Sequence, residues 1–248
     1  MGVSRVEMEI NNSKLVFETG EIAKQANGSI MAYYGETSVL STVCSSDEPR
    51  EGSDFFPLTV DYRELSYAAG VIPGNFFRRE ARPSEREILT CRLIDRPMRP
   101  LFPENFMCET MIQVMVVSYD KVCDCDILAI NATSASLHVS DIPFDGPIGA
   151  VRVGRIDGQI IVNPSIEQQD ESDLNCVLAG TSDAIVMVEA GSFELSEDDY
   201  MEAFKQGHTV IKDLCELQEK LRTECGKPKR EIEPVEHDQD LMSKIEEF

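Results

Sequence analysis

The chain has 248 residues, 42% of them hydrophobic and 27% charged, and its formal net charge at pH 7 is -22. This length can bury a large core in one domain or two modest ones, and no apolar run approaches the roughly 20 residues that a membrane-spanning helix requires. Because so acidic a body repels polyanions in general, contact with nucleic acid would need a local concentration of positive charge.

Short β-strands are predicted along the first half of the chain. Turn signals at Asn11-Asn12 and Gly35-Glu36 separate segments with strand-forming patterns, which predicts two hairpins. The predicted strands cover residues 6–10, 14–19, 29–34, 37–44 and 55–62. Between the last two, the polar stretch 45–54 contains Pro49 and Gly52 and predicts a loop.

A capped helix is predicted next. Ser84 fits the N-cap position, and Glu87 three residues later would close a capping box. The helix is expected to run to about Arg96 and to stop at Pro97. Leu89 and Leu93 should then share a packing face, while the other side presents arginines at i,i+4 spacing.

The second half of the chain alternates strands with two further helices. Strands are predicted at 111–118, 150–153, 159–162, 176–179 and 185–189, with a tight turn bracketed by Gly154 and Gly158. One helix is predicted at 126–139, and a long one begins after the cap Ser196. The pattern predicts an α+β or α/β protein with one domain at residues 1–225. Residues 226–248 are interpreted as a linker and the start of an all-helical domain, with a helix at 241–248.

The eight cysteines are scattered and the N-terminus lacks a secretory pattern, which favours free thiols in a cytoplasmic protein. A protein of an organelle, with its transit peptide removed, remains an alternative. Cys123 and Cys125 resemble half of a zinc site. Since no second pair completes it, no metal site is predicted in this chain.

Half of the fourteen arginines lie in one segment, NFFRREARPSEREILTCRLIDRPMRPLFP at residues 75–103, which contains no lysine. They are Arg78, Arg79, Arg82, Arg86, Arg92, Arg96 and Arg99. Guanidinium groups bind phosphate through paired hydrogen bonds, and Phe76 and Phe77 would supply a stacking platform beside them. The segment therefore predicts contact with single-stranded nucleic acid. The alternative is that the rings are core residues and the arginines pair with nearby acids.

The same segment closely resembles a stretch of the first core domain of the polynucleotide phosphorylase family. Flanking segments resemble that domain too: FETGEIAKQANGS at 17–29, SDFFPLTVDYRELSYAAGVIPG at 53–74, IPFDGPIGAVRVG at 142–154 and VLAGTSDAIVMVEA at 177–190. The resemblance is collinear over nearly the whole chain. It implies an α+β fold of the RNase PH-like type, which is also described as ribosomal protein S5 domain 2-like.

The resemblance implies an activity for the intact protein. Members degrade RNA from the 3′ end with inorganic phosphate as co-substrate, release nucleoside diphosphates, and add untemplated nucleotides in reverse. It further implies magnesium, a homotrimeric ring with a central pore, partners in RNA degradation and a longer chain. That longer chain would add a second core, a helical domain, a KH domain and an OB-fold domain.

The resemblance also assigns residues. Those expected to contact RNA at the constriction that leads to the active site are Phe76, Phe77, Arg78 and Arg79, and Arg82 is also expected to bind RNA. Those expected to face RNA or a neighbouring catalytic cleft are Arg92, Arg96 and Arg99. The chain departs from the family at Ala81, where glycine is usual, so strain is expected there if the position requires a positive φ.

The catalytic centre itself is not expected in this chain. Active cores of this type hold phosphate in a short Gly/Ser/Thr-rich segment before the central helix, and here that place reads Asp124-Cys125-Asp126. Two carboxylates repel phosphate, so phosphate and magnesium are predicted to bind mainly in the second core. The two aspartates are interpreted as capping and dipole-complementing residues, with a metal pair as the alternative.

The sequence is compatible with three functions. The leading one is the first core of a phosphorolytic exoribonuclease. The second is a non-catalytic ring scaffold of the exosome-core type that binds RNA. The third, a self-sufficient phosphorylase, is disfavoured by the missing phosphate segment.

Overall fold

The computed structural model describes residues 2–11, 13–49, 52 and 54–232. Within them the chain folds into two β-sheets and four α-helices. The helix predicted at 241–248 lies outside the described residues. None of the described helices is both long and apolar enough to cross a membrane.

The first sheet has six strands in the order β1-β2-β3-β4-β6-β5. Its strands are β1 (Ser4–Ile10), β2 (Ser13–Thr19), β3 (Gly28–Tyr34), β4 (Thr37–Pro49), β5 (Leu58–Glu64) and β6 (Cys108–Ser118). Both predicted hairpins, β1-β2 and β3-β4, are present and antiparallel. The β5-β6 pair is parallel, and the long connection between the two strands, which contains a helix, is the crossover that a parallel pair requires.

The second sheet is antiparallel and has four strands in the order β10-β9-β7-β8. They are β7 (Gly149–Ile156), β8 (Gln159–Val162), β9 (Leu174–Gly180) and β10 (Ile185–Ser192). The turn between β7 and β8 is made by Asp157 and Gly158, both at positive φ. Gly154 lies inside β7 and not in this turn, and its small size lets Pro164 and Ser172 approach the backbone closely.

The helix α2 (Cys125–Val139) packs against both sheets and is buried along its whole length. The helix has small or apolar residues on every face, which is the pattern of a helix inside a core. Its polar side chains bond to the strands. Asn131 pairs through both amide atoms with the backbone of Ala150, and the Ser134 hydroxyl accepts from the N–H of Ile148. These bonds fix where the middle of α2 lies relative to the second sheet.

The helix α1 (Glu85–Met98) begins at the predicted cap. Ser84 and Glu87 form the capping box, and the Glu87 carboxylate also accepts from the N–H of Glu64 on β5. The helix continues through Pro97 to Met98, so the predicted stop at Pro97 is wrong and the helix ends two residues after Arg96. Pro97 removes only the N–H that would bond to the carbonyl oxygen of Leu93, and the carbonyls after it lie at the end of the helix, where few have intrahelical donors.

Two other expectations about this half of the chain are corrected. Leu89 does not pack, because it is 56% exposed and borders an open cleft, whereas Thr90, Leu93 and Ile94 form the buried face of α1. The loop predicted at 45–54 begins late, because β4 continues to Pro49 and still pairs with Cys108 on β6.

The last helix, α4 (Glu197–Cys225), begins at the predicted cap Ser196, whose side chain accepts from the N–H of Asp199. The residues that directly follow α4 still contact the rest of the domain. Lys229 donates to the carbonyl oxygens of Leu137 and Ser140 at the end of α2, and Arg230 pairs with Asp141. A further short helix, α3 (Ile166–Glu171), lies between β8 and β9.

Candidate nucleic-acid interface

The predicted RNA-contacting residues lie on an exposed loop, residues 75–82, between a short 3-10 turn (Ser66–Ala69) and α1. The Phe76 ring is 93% exposed and the Phe77 ring 72% exposed. The two rings meet edge to face with centroids 5.4 Å apart. The Arg79 guanidinium lies over the Phe77 ring, 5.3 Å from its centroid. Rings left in water at this level are available for stacking on a base.

The guanidinium groups of this loop have no carboxylate partner among the described residues. Arg78, Arg79 and Arg82 are exposed and form no ion pair there. The one acid of the loop, Glu80, instead accepts from the N–H and the hydroxyl of Ser66. The loop therefore presents positive charge to solvent, in a chain whose net charge is -22.

The backbone of the loop is not strained at Ala81, the position where the sequence indicated that strain could occur. Ala81 is not among the residues with positive φ, and the strained position is Arg78, with a φ of 52°. The alanine is therefore compatible with the loop as it is folded. No sequence signal marks Arg78, because arginine gives no indication of a left-handed backbone.

The three arginines expected to face a catalytic cleft differ in their partners. Arg92 is exposed and forms no ion pair within the described residues. Arg96 pairs with the exposed Glu189 of β10 at 2.6 Å. Arg99 is held by Asp95 at 2.7 Å and also donates to the backbone carbonyls of Phe56 and Leu58. Arg99 is therefore the least available of the three.

An open cleft of about 620 Å³ lies between α1, the start of α2 and the second sheet. Its floor holds two arginines, and each faces an aspartate. Arg86 of α1 donates to Asp124 at 2.6 Å and lies 3.4 Å from Glu64. Arg152 of β7 donates to Asp126 at 2.5 Å and to Asn175 at 2.6 Å. Unlike the loop, this cleft neutralises its own positive charge.

The Asp126–Arg152 pair is buried, with 12% and 11% of the side chains exposed. Burial raises the pKa of Asp126, and the nearby Arg152 charge opposes that rise. Arg152 was not singled out from the sequence because it lies far from the arginine segment. The signal that could have indicated Arg152 is that a carboxylate buried at the start of a core helix, here Asp126, needs a cationic partner.

Neither a phosphate nor a magnesium ion fits the residues at the start of α2. Asp126 accepts from the N–H of Ile127, so its carboxylate takes a place where an anion would otherwise meet the helix amides. Asp124 occupies the N-cap position, but its side chain makes no capping bond and turns to Arg86 instead. Both carboxylates are already bound to guanidinium groups, and the described residues contain no cluster of three potential metal ligands.

Comparisons with known families agree with this architecture. Residues 13–143 match the model of the 3′ exoribonuclease family, domain 1, and residues 146–210 match domain 2 of the same family. A solved structure of rice (Oryza sativa) Rrp46 shares the fold with a TM-score of 0.66. It is 15% identical, and the match covers 90% of this chain and 94% of that one.

Bacterial relatives are much more similar in sequence. The polyribonucleotide nucleotidyltransferase of Koribacter versatilis is 55% identical over 92% of this chain and 28% of its own length. That of Heliobacterium modesticaldum is 49% identical over 97% of this chain and 34% of its own length. The chain thus spans about a third of the length of these relatives.

Proposed function

The chain belongs to the 3′ exoribonuclease family, and we propose on that premise that it is the first core of a phosphorolytic 3′-to-5′ exoribonuclease, a polyribonucleotide nucleotidyltransferase. In that reaction a phosphate oxygen attacks the phosphorus of the 3′-terminal linkage. The bond from that phosphorus to the 3′ oxygen of the preceding nucleotide breaks, and the terminal nucleotide leaves as its diphosphate. The similarity to nucleotidyltransferases over more than nine tenths of the chain supports this assignment.

The part we assign to this chain is to bind and thread single-stranded RNA. The observation that carries this is the exposed loop, where Phe76 and Phe77 stand beside Arg78, Arg79 and Arg82 and no carboxylate among the described residues neutralises them. Stacking on the rings holds bases of any sequence, and the guanidinium groups hold the backbone between them. The acidic remainder of the chain repels RNA elsewhere, which directs the strand to the loop.

We further propose that phosphate and magnesium bind mainly in a second core outside this chain. The cleft at the start of α2 supports this, since Asp124 and Asp126 stand where phosphate would bind and each is bound to an arginine. A homotrimeric ring and partners in RNA degradation are part of the same proposal. In such a ring Arg92, which is exposed and forms no ion pair among the described residues, is better placed to face a neighbouring core than Arg96, which is exposed but pairs with Glu189.

A second function is favoured by the same cleft. A core whose cleft arginines are paired internally suits a ring scaffold that binds RNA without catalysis, as in the exosome-core type. The two functions differ in what accompanies this core. A second core whose phosphate-binding groups and carboxylates have no internal partner would support the enzyme. A complete protein without such a core would support the scaffold.

The activity test compares two forms of the protein. The 248-residue chain is expected to release almost no nucleoside diphosphate from poly(A) with phosphate and magnesium. The complete protein with both cores should release it steadily, measured by chromatography of the products. Release by the 248-residue chain at a similar rate would contradict the assignment of the chemistry to a second core.

The binding test uses the complete protein with Arg78 and Arg79 both replaced by alanine. The affinity for oligo(A) should fall, and the slope of log K against log salt should decrease by roughly 0.7 for each phosphate that the variant no longer neutralises. Fluorescence anisotropy between about 50 and 200 mM KCl measures both quantities. Glu80 is kept so that the anchor to Ser66 is unchanged. An unchanged slope would reject the loop as the place where RNA binds.

A further inference from the structure

The aromatic-arginine loop is folded although its rings are almost fully in water. The buried core does not hold Phe76 and Phe77, since these are among the most exposed large apolar side chains of the described residues. Arg78 also has a left-handed backbone, with a φ of 52°, which L-residues other than glycine and asparagine adopt rarely. Something within the loop must favour this conformation over the many others open to an exposed segment.

The side chain of Asn75 closes the loop on itself. Its Oδ1 accepts from the N–H of Arg79 at 3.3 Å, and its Nδ2 donates to the carbonyl oxygen of the same residue at 2.5 Å. Its own carbonyl oxygen accepts from the N–H of Arg78 at 3.0 Å. One residue therefore satisfies both backbone groups of Arg79 and the N–H of Arg78.

These bonds set the directions of the side chains that would meet RNA. They fix the backbone on either side of Arg78, so Phe77 and Arg79 project together and the guanidinium reaches the ring at 5.3 Å. The far end of the loop is fixed separately, because Glu80 accepts two hydrogen bonds from Ser66. The loop is thus closed at one end by an amide and anchored at the other by a carboxylate.

We infer that Asn75 is a positioning residue that preorganises the loop for RNA before RNA arrives. This rests on the proposed function, in which Phe76 to Arg79 bind single-stranded RNA. A preorganised loop loses less conformational entropy on binding, and so binds more tightly through the same side chains. Asn75 itself does not touch RNA, and its effect passes through Arg78 and Arg79.

This role has a signature that separates it from direct binding by Asn75. Asn75→Ala keeps every guanidinium group, so the bound complex should retain its arginine–phosphate pairs and its salt slope. The affinity for fluorescein-labelled oligo(A) should fall by about 3- to 10-fold, roughly the effect of one hydrogen bond on an equilibrium. The double replacement of Arg78 and Arg79 by alanine should instead reduce the slope.

A second measurement follows the loop without RNA. Trypsin cleaves after arginine in mobile segments, so Asn75→Ala should be cut after Arg78 and Arg79 faster than the native protein. Asn75→Asp keeps the acceptor for the N–H of Arg79 but loses the donor, so its cleavage rate should lie between the two. Gln25→Ala, at an exposed amide between β2 and β3, is the matched control and should leave both the cleavage and the affinity unchanged.

All variants are made in the complete protein, and each outcome decides something. A lower affinity at an unchanged salt slope, with faster cleavage, supports the inference. Native affinity in Asn75→Ala, alongside a weakened Arg78/Arg79 variant, overturns the inference and leaves the proposed function intact. Native affinity in the Arg78/Arg79 variant overturns both. An Asn75→Ala variant whose salt slope falls as well would show that Asn75 does more than position the loop, which also contradicts the inference.

Discussion

The loop at residues 75–82 and the cleft at the start of α2 both present arginines, yet they differ in what surrounds the charge. In the loop, Arg78 and Arg82 form no ion pair among the described residues. In the cleft, Arg86 and Arg152 are each bound to an aspartate. The number of arginines therefore does not locate an anion site, since a guanidinium that already binds an internal carboxylate is less free to bind an external phosphate.

The largest effect on stability is expected from a variant that removes one of the carboxylates that neutralise the arginines of the cleft. Asp126→Ala leaves the buried Arg152 guanidinium with only the more distant Asp124 carboxylate, 3.6 Å away, which should lower the free energy of unfolding by up to about 3–5 kcal/mol. Urea unfolding followed by circular dichroism measures it. Asp170→Ala, at an exposed carboxylate of α3, is the control and should change stability little.

The same experiment has a second arm. Adding Arg152→Met to Asp126→Ala also removes the buried guanidinium that has lost its nearest carboxylate, so most of the lost stability should return. If the double variant is as unstable as the single one, the loss comes from packing rather than from an isolated buried charge. Ion pairing would then not explain the difference between the cleft and the loop.

A smaller effect is expected from the rings of the loop. Replacing Phe76 and Phe77 with alanine should weaken RNA binding by about 1–3 kcal/mol for each base that stacks, with the unfolding free energy nearly unchanged because both rings are exposed. Anisotropy with oligo(A) and a thermal melt are measured on the same samples. A large fall in the melting temperature would mean that the rings pack in the core, contrary to their exposure in the structure.

Helix α1 joins the two regions, and its cap gives a prediction about pH. Burial would raise the pKa of Glu87, but its hydrogen bonds to the backbone of Ser84 and Glu64 lower it below the ordinary value of 4.5. A carboxyl with a lowered folded pKa stabilises the protein fully above the unfolded value. That contribution is lost as the pH falls through the folded value.

Glu87→Gln should therefore cost about 1 kcal/mol at neutral pH, the usual size of a lost cap. The difference in unfolding free energy between the native protein and the variant should decrease as the pH is lowered below the ordinary pKa of 4.5. Unfolding in urea at several pH values measures this. A gap that stays constant throughout the acid range would show that the Glu87 charge does not contribute.

The smallest effect is expected at Ala81. Since this residue does not have a positive φ, Ala81→Gly only adds freedom to the unfolded chain and should lower stability by at most about 1 kcal/mol. RNA affinity should be equal or slightly weaker. A clear gain in affinity would mean that the alanine strains the loop, contrary to the structure.

Much of the fold could be predicted from local signals. Turn residues at Asn11 and Gly35 located two hairpins, and the cap residues Ser84 and Ser196 located the starts of two helices. These signals act over a few residues and need no tertiary context. The errors arose where tertiary contacts decide, as when β4 continues past Ser45 because β6 pairs with it.

The candidate site was predictable to a lesser degree. The composition of residues 75–82 indicated an interface, and the exposure of both rings agrees with that interpretation. What the sequence did not show is which arginines are paired. Arg86 and Arg82 are four residues apart in one motif, but only Arg86 meets Asp124, because α1 places it beside the start of α2.

The role of the unpaired arginines is tested by comparing Arg78→Ala with Arg86→Ala in the complete protein, since each variant removes one arginine of the same segment. The salt dependence of oligo(A) binding should have a slope smaller by about 0.7 in Arg78→Ala. In Arg86→Ala the slope should be unchanged, because Asp124 and Glu64 already neutralise that guanidinium. Equal changes in the two variants, or a larger change in Arg86→Ala, would contradict the claim that only the unpaired arginines bind RNA.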